Sequence, residues 1–356
     1  MIRGSGKKRK TIAAAAALAL LLAAVVGGAA ILERIEQRDK EEALRQEAET
    51  LKAAIWTDQN TLELDGKRYG FDHRIETYLF IGTDDGGSSD PNDFRGPMAD
   101  FLLLLVLDHT DNTIAYLQID RNTVTGVREL RKDGTEITSR QLQICTAHWY
   151  GRNPEMAAEN TVYAVRKYLG GLAKIDGYFV LNMHDVGSLN HAVGGVEVTI
   201  QDELEEDDPS LRQGETLVLS DEQAAYFLRA RMSVGSGTNA ERMARQRQYM
   251  ESFFAKVKEL TADDPAFGLE MWDTLKDAAV SNMNGSDCSR IAQKLLKGTD
   301  KGLRTIRGET VLGYVLGDGQ PHEEFYAADG AVRETMTDLF SLTLIDDGEI
   351  TKDGDD

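Results

Sequence analysis

DFLLLLVL, residues 100–107, decides the fold. One aspartate opens a run that is otherwise wholly apolar. Such a run suits a central strand covered on both faces, because both sets of alternating side chains then avoid water. Upstream, ETYLFIG at residues 76–82 is a second buried strand. Residues 83–97 form a loop rich in Asp, Gly and Ser. Downstream, residues 108–112 carry turn chemistry, and residues 113–119 return as the other half of a hairpin. Helices are expected at 141–150 and 156–169, the latter ended by Gly170-Gly171. A strand at 177–181, a helix at 185–193 and a strand at 196–200 follow. Further helices are expected at 265–279, 286–296 and 331–342, with a strand at 307–316. Strands interleaved with helices make a layered α/β domain.

Residues 219–250, LSDEQAAYFLRARMSVGSGTNAERMARQRQYM, stand apart chemically. They hold Arg229, Arg231, Arg242, Arg245 and Arg247 and no lysine, in a chain of formal net charge -20. Guanidinium groups stay charged and offer a planar fork that fits phosphate oxygens in pairs. Ser220 is the expected N-cap of a helix over 221–231, with Ala224, Ala225 and Leu228 on its apolar face. A turn at 233–238 leads to a second helix from Asn239, on which Arg242, Arg245 and Gln246 share a face. A solvated helix with scattered arginines is the competing reading.

The 356 residues suffice for one large domain or two small ones. The net charge argues against nucleic acid, which requires a broad basic surface. Any anion site must therefore be local and dense. Residues 1–10 are a basic tail, expected on the cytoplasmic side. Residues 11–32 carry no charge and are long enough to span a bilayer as one transmembrane helix. A cleaved signal peptide is the alternative. Residues 33–66 suggest a juxtamembrane helical stalk and linker, 67–345 an extracytoplasmic domain, and 346–356 a polar tail. Cys145 and Cys288 allow one disulfide or two buried thiols.

Asp84 and Asp85 follow the first strand, and Asp100 opens the next. Two carboxylates brought together hold magnesium, which keeps waters and substrate phosphate oxygens as its remaining ligands. Ordinary capping aspartates would look the same in sequence. Arg121 directly follows the strand 113–119, at a site or merely at an edge. Metal-side carboxylates and an arginine fork together would make a pyrophosphate site. His109, His148, His184 and His191 lack a recognisable partner in sequence and suggest structural histidines.

These residues resemble the LytR–CpsA–Psr family, anchored ligases of the Gram-positive cell envelope. The motifs are Gly82-Thr83-Asp84, Ala99-Asp100, Gln118 to Thr123 (QIDRNT), Gly194-Gly195-Val196, Leu228 to Arg231 (LRAR) and Asn239 to Gln246 (NAERMARQ). Cys145 to Tyr150 and Glu159-Asn160-Thr161 match a subgroup. The resemblance implies a three-layer α/β/α domain with a central mixed sheet and an apolar channel for a polyprenyl chain. It implies magnesium-dependent transfer of a glycopolymer from a polyprenyl-pyrophosphate carrier to a peptidoglycan acceptor. Asp84 and Asp100 match the metal-side aspartates. Arg121, Arg229, Arg231, Arg242 and Gln246 match pyrophosphate binders, and Arg245 lies within the same motif. Two departures stand out: Met98 occupies a frequent arginine position, and Asn122 a usual aspartate.

Overall fold

The computed structural model describes residues 55–56, 61–64, 67–71, 73–86, 96–151, 153–205, 208–230 and 237–345. The anchor at 11–32, most of the stalk, Arg231 and the polar tail lie outside the described residues. Among the described residues no helix is long and apolar enough to cross a membrane.

Six strands form the central sheet: β1 (Ile75–Thr83), β2 (Ala99–Asp108), β3 (Thr113–Ile119), β4 (Gly177–Asn182), β5 (Ala279–Ser281) and β6 (Thr299–Thr305). Their spatial order is β5-β4-β1-β2-β3-β6. The sheet is mixed: β2 runs antiparallel to β1 and β3, whereas β1–β4 and β3–β6 are parallel. The all-apolar stretch of β2 is buried from Leu102 onward, as both faces carry helices. Leu102, Leu104 and Val106 join the core under α1 (Pro154–Tyr168) and a C-terminal helix, Ala331–Leu339. Leu103, Leu105 and Leu107 join the opposite core. That core packs under α2 (Val186–Ala192), α3 (Asp221–Arg229), α4 (Asn239–Asp263), α5 (Phe267–Leu275) and α6 (Gly285–Lys297).

The β2–β3 turn is braced from within. Asp108 Oδ1 accepts the backbone N–H groups of Thr110 (2.8 Å) and Asp111 (3.1 Å), and Oδ2 lies 2.6 Å from His73 Nδ1. Burial pushes the Asp108 carboxyl up, but these bonds outweigh it and hold the group below the usual carboxylate range. A braced turn locks the register: Leu102 faces Ile119, Leu104 faces Leu117, and Asp108 faces Thr113.

Several local expectations give way. Residues 141–150 are not one helix. A strand, Glu136–Gln143, pairs with Val124–Leu130, and a short 3-10 helix, Ile144–Trp149, follows. Its start is tied to the loop after β3: Ile144 N–H bonds the Thr123 carbonyl and Cys145 N–H the Arg121 carbonyl. β6 and the strand His322–Ala327 carry polar, partly exposed sequences and so no apolar signal. Strand pairing starts at Ile55, upstream of residue 67. Thr61–Leu64 pairs with Lys67–Gly70, which Thr343–Leu344 also joins.

The first helix of the arginine segment starts where its cap sets it. Ser220 forms a capping box with Gln223, and α3 ends at Arg229, shorter than the expected helix. α4 begins at Asn239. Asn190, at the end of α2, holds the start of α3. Its Nδ2 donates to the Leu219 carbonyl (3.0 Å) and Asp221 Oδ1 (2.9 Å), and its Oδ1 accepts Val196 N–H (3.0 Å). Between them Gly194 and Gly195 adopt φ of 74° and 97°, a turn open to glycine. Asn190→Ala strands at least two buried backbone groups. It should lower unfolding stability by about 2–4 kcal/mol in urea titrations, with the m-value unchanged.

Candidate active site

Register brings the first three residues together. A bulge between Gly82 and Thr83 pairs Thr83 with Ala99 and leaves Asp100 without a cross-strand partner at this end of β1 and β2, near enough for its charge to act on the Asp84 carboxyl. Continuing the β2–β3 register past Leu102–Ile119 sets Arg121 across from Asp100. Arg121 Nη1 lies 3.0 Å from Asp100 Oδ1, a close ion pair outside hydrogen-bond geometry. The fourth residue arrives from the helical layer: Arg242 Nη1 of α4 donates to Asp100 Oδ2 at 2.9 Å. Both guanidinium groups are buried, so the carboxylate between them is shielded from solvent screening.

The remaining edges of Arg121 are under-satisfied. Nη2 contacts two sulfurs, Met98 Sδ at 3.1 Å and Cys145 Sγ at 3.3 Å. Its buried Nε has no hydrogen-bond partner. Sulfur is a weak acceptor, so Arg121 is positioned without being neutralised on that side. Met98 therefore meets Arg121 through its side chain. Its backbone anchors Asp84: Met98 N–H donates to Asp84 Oδ1 (2.7 Å), and Asp84 N–H donates to the Met98 carbonyl (3.1 Å). Asn122 is buried and donates through Nδ2 to Glu323 Oε2 at 3.3 Å. Burial pushes the Cys145 thiol up, and both cysteines are free.

Arg229 belongs to a second cluster. Its Nη1 lies 3.2 Å from His184 Nδ1, and His184 Nε2 contacts Asp85 Oδ2. Because Arg229 must be the donor, the ring proton sits on Nε2, toward Asp85. Sequence reasoning gave His184 no partner, since Asp85 and Arg229 lie 99 and 45 positions away from it. Arg245 turns elsewhere: it caps the C-terminal end of α3 through the Phe227 and Ala230 carbonyls and pairs with Asp202 (2.5 Å). Gln246 is buried and lines an apolar cavity of about 100 Å³ between sheet and helices. Phe80, Phe101, Phe179, Leu181, Phe253 and Phe254 are among its walls.

The subgroup motif residues buttress the Arg121 loop. Asn160 Nδ2 donates to the Ala147 and Arg128 carbonyls, and Thr161 bonds His148. Burial pushes the His148 imidazole down to about 4, so it stays neutral and structural.

A sequence profile of the LytR_cpsA_psr family matches residues 34–322. The chain belongs to this family. Solved structures agree in fold. TagV of B. subtilis is 20% identical with a TM-score of 0.57, covering 75% of this chain and 98% of its own. Lin1025 of Listeria innocua is 20% identical with a TM-score of 0.53, covering 75% and 99%. TagT bound to LIIa-WTA is 17% identical with a TM-score of 0.55, covering 75% and 90%. No curated protein matches.

Burial pushes the Asp84 carboxyl up; the Met98 N–H works against this, and the charge of Asp100 adds to it. A raised carboxyl holds its proton more tightly in the folded state. Stability is therefore lost as pH rises from the unfolded value, about 4, through the folded one. Asp84→Asn retains Oδ1 for Met98 and removes that loss. Its melting temperature should exceed that of the parent at pH 7 and converge with it near pH 3.

Proposed function

We propose that this chain is a membrane-anchored phosphotransferase of the cell wall. It moves a glycopolymer from a polyprenyl-pyrophosphate carrier to peptidoglycan. The observation that carries the reading is Arg121: a buried guanidinium with an unsatisfied Nε and only sulfur at Nη2, beside a second buried arginine on Asp100. Such groups suit phosphate oxygens, which supply the strong acceptors that the protein withholds. The neighbouring apolar cavity suits the lipid tail. Family membership and the wall teichoic acid substrates bound to TagT support a glycopolymer as cargo.

The chemistry follows from the residues. An acceptor hydroxyl attacks the sugar-side phosphorus, the bond to the bridging oxygen breaks, and polyprenyl phosphate leaves. Arg121 and Arg242, with Arg229 at the α3 end and Arg231 two residues on in sequence, hold the phosphates and stabilise charge moving to the leaving group. Gln246 lines the cavity, four residues after Arg242 on α4. Asp84, whose proton affinity is raised, takes the proton of the attacking hydroxyl. Magnesium fits the donor set: Asp84 and Asp100 offer hard carboxylate oxygens, and a cation would relieve the penalty on an ionised Asp84 beside Asp100. When bound there, it would neutralise phosphate charge. Residues 11–32 would hold the domain at the outer membrane face, within reach of the lipid carrier.

Product analysis with a lipid-linked polymer, with and without peptidoglycan, tests the proposal. Polymer should appear on peptidoglycan, together with polyprenyl phosphate. Arg121→Lys and Arg242→Lys keep charge but lose the two-pronged geometry, so each should cut transfer by about tenfold or more. Release into water alone would make the protein a pyrophosphatase. Retention of uncleaved carrier would make it a binding module. Either result overturns the transferase reading.

A further inference from the structure

A second cavity, of about 210 Å³, lies beside the reaction centre at the open ends of β3 and β6. Asp120, Arg247, Tyr168 and Gln118 line it with the apolar side chains of Ile306 and Phe325. Asp120 and Arg247 share this cavity, yet neither forms a salt bridge among the described residues. Asp120 Oδ1 accepts Asn122 N–H and Asn239 Nδ2, both at 2.8 Å, while Oδ2 carries no hydrogen bond there. Arg247 has a single long contact, Nη1 to Gln118 Oε1 at 3.4 Å. The buried Tyr168 hydroxyl lies near that of Thr123 but outside hydrogen-bonding geometry. Polar groups so enclosed cost free energy until something bonds them.

The lining selects the ligand's chemistry. An anion would meet Asp120, on which Glu323 also acts. A cation would meet Arg247, with Arg121 and Arg242 nearby. A neutral polyhydroxylated ring supplies donors to Asp120 and acceptors to Arg247, and offers an apolar face to Phe325 and Ile306. The cavity is smaller than the roughly 300–1,000 Å³ of drug-sized sites, which suits a single ring. It also connects to the reaction centre. Asp120 Oδ1 accepts from Asn239, Asn239 Oδ1 accepts from Arg242 Nη2 (2.8 Å), and Arg242 donates to Asp100.

We infer that the cavity between Asp120 and Arg247 is a subsite for a neutral sugar ring of the acceptor. This rests on the transferase reading and adds the acceptor's chemistry and the residues that receive it. The test is calorimetric titration of the full-length protein with chitotriose, an uncharged N-acetylglucosamine trisaccharide, and separately with inorganic pyrophosphate. Chitotriose should bind saturably. Arg247→Met and Asp120→Asn should each weaken it by about tenfold or more, while Arg247→Met leaves pyrophosphate binding unchanged. If Asp120→Asn fails to fold, Arg247→Met decides alone. Pyrophosphate binding without chitotriose binding overturns the subsite and spares the transferase reading. Unchanged chitotriose affinity in Arg247→Met, or displacement of chitotriose by pyrophosphate, also overturns it. Chitotriose binding without pyrophosphate binding supports the subsite and sinks the pyrophosphate site instead.

Discussion

Asp100 held between Arg121 and Arg242 is the interaction on which the site depends. A buried carboxylate between two guanidiniums is a poor source of stability, because desolvation offsets most of the attraction. Its value is positional. It draws one arginine from the sheet and one from the helical layer to the same point, 121 positions apart in sequence. Arg121 keeps an Nε with no hydrogen-bond partner among the described residues. The cost of assembling like charges is met by the protein's own carboxylate.

The supports of this cluster are distributed over both faces of the sheet. On one face, Asn160, Thr161 and His148 fix the 3-10 helix whose backbone receives the Arg121 loop. On the other, Arg245 ties α4 to the end of α3, and Asn190 ties α3 to α2. The braced turn at Asp108 lies at the far end of β2, yet it sets which residue stands opposite Asp100. A slip of one residue there would turn Arg121 away.

The two departures from the family pattern acquire physical content. Met98 keeps the backbone bridge to Asp84, which needs no particular side chain, and gives Arg121 a soft contact where an arginine would repel it. Asn122 cannot carry charge, but Asp120, two residues earlier, places a carboxylate on the same turn and accepts the Asn122 N–H. That carboxylate reaches Arg242 through Asn239.

The sequence by itself determined the layered α/β class, the buried β2, the hairpin that sets Arg121 against Asp100, the N-cap of α3 and the start of α4. These rest on short-range patterns: an apolar run, a turn of known chemistry, a serine placed to cap the helix that follows it. It did not reveal β6 or the hairpin after Arg121, because exposed polar strands take their shape from their neighbours' backbone hydrogen bonds and not from their own apolar spacing. Nor did spacing separate Arg242 from Arg245, three residues apart on one helix. Only the tertiary structure sent one to Asp100 and the other to the end of α3, since each guanidinium follows the nearest acceptor in space. The partnership of His184 with Asp85 and Arg229, and the cavity that Asp120 shares with Arg247, likewise exist only once distant segments pack together.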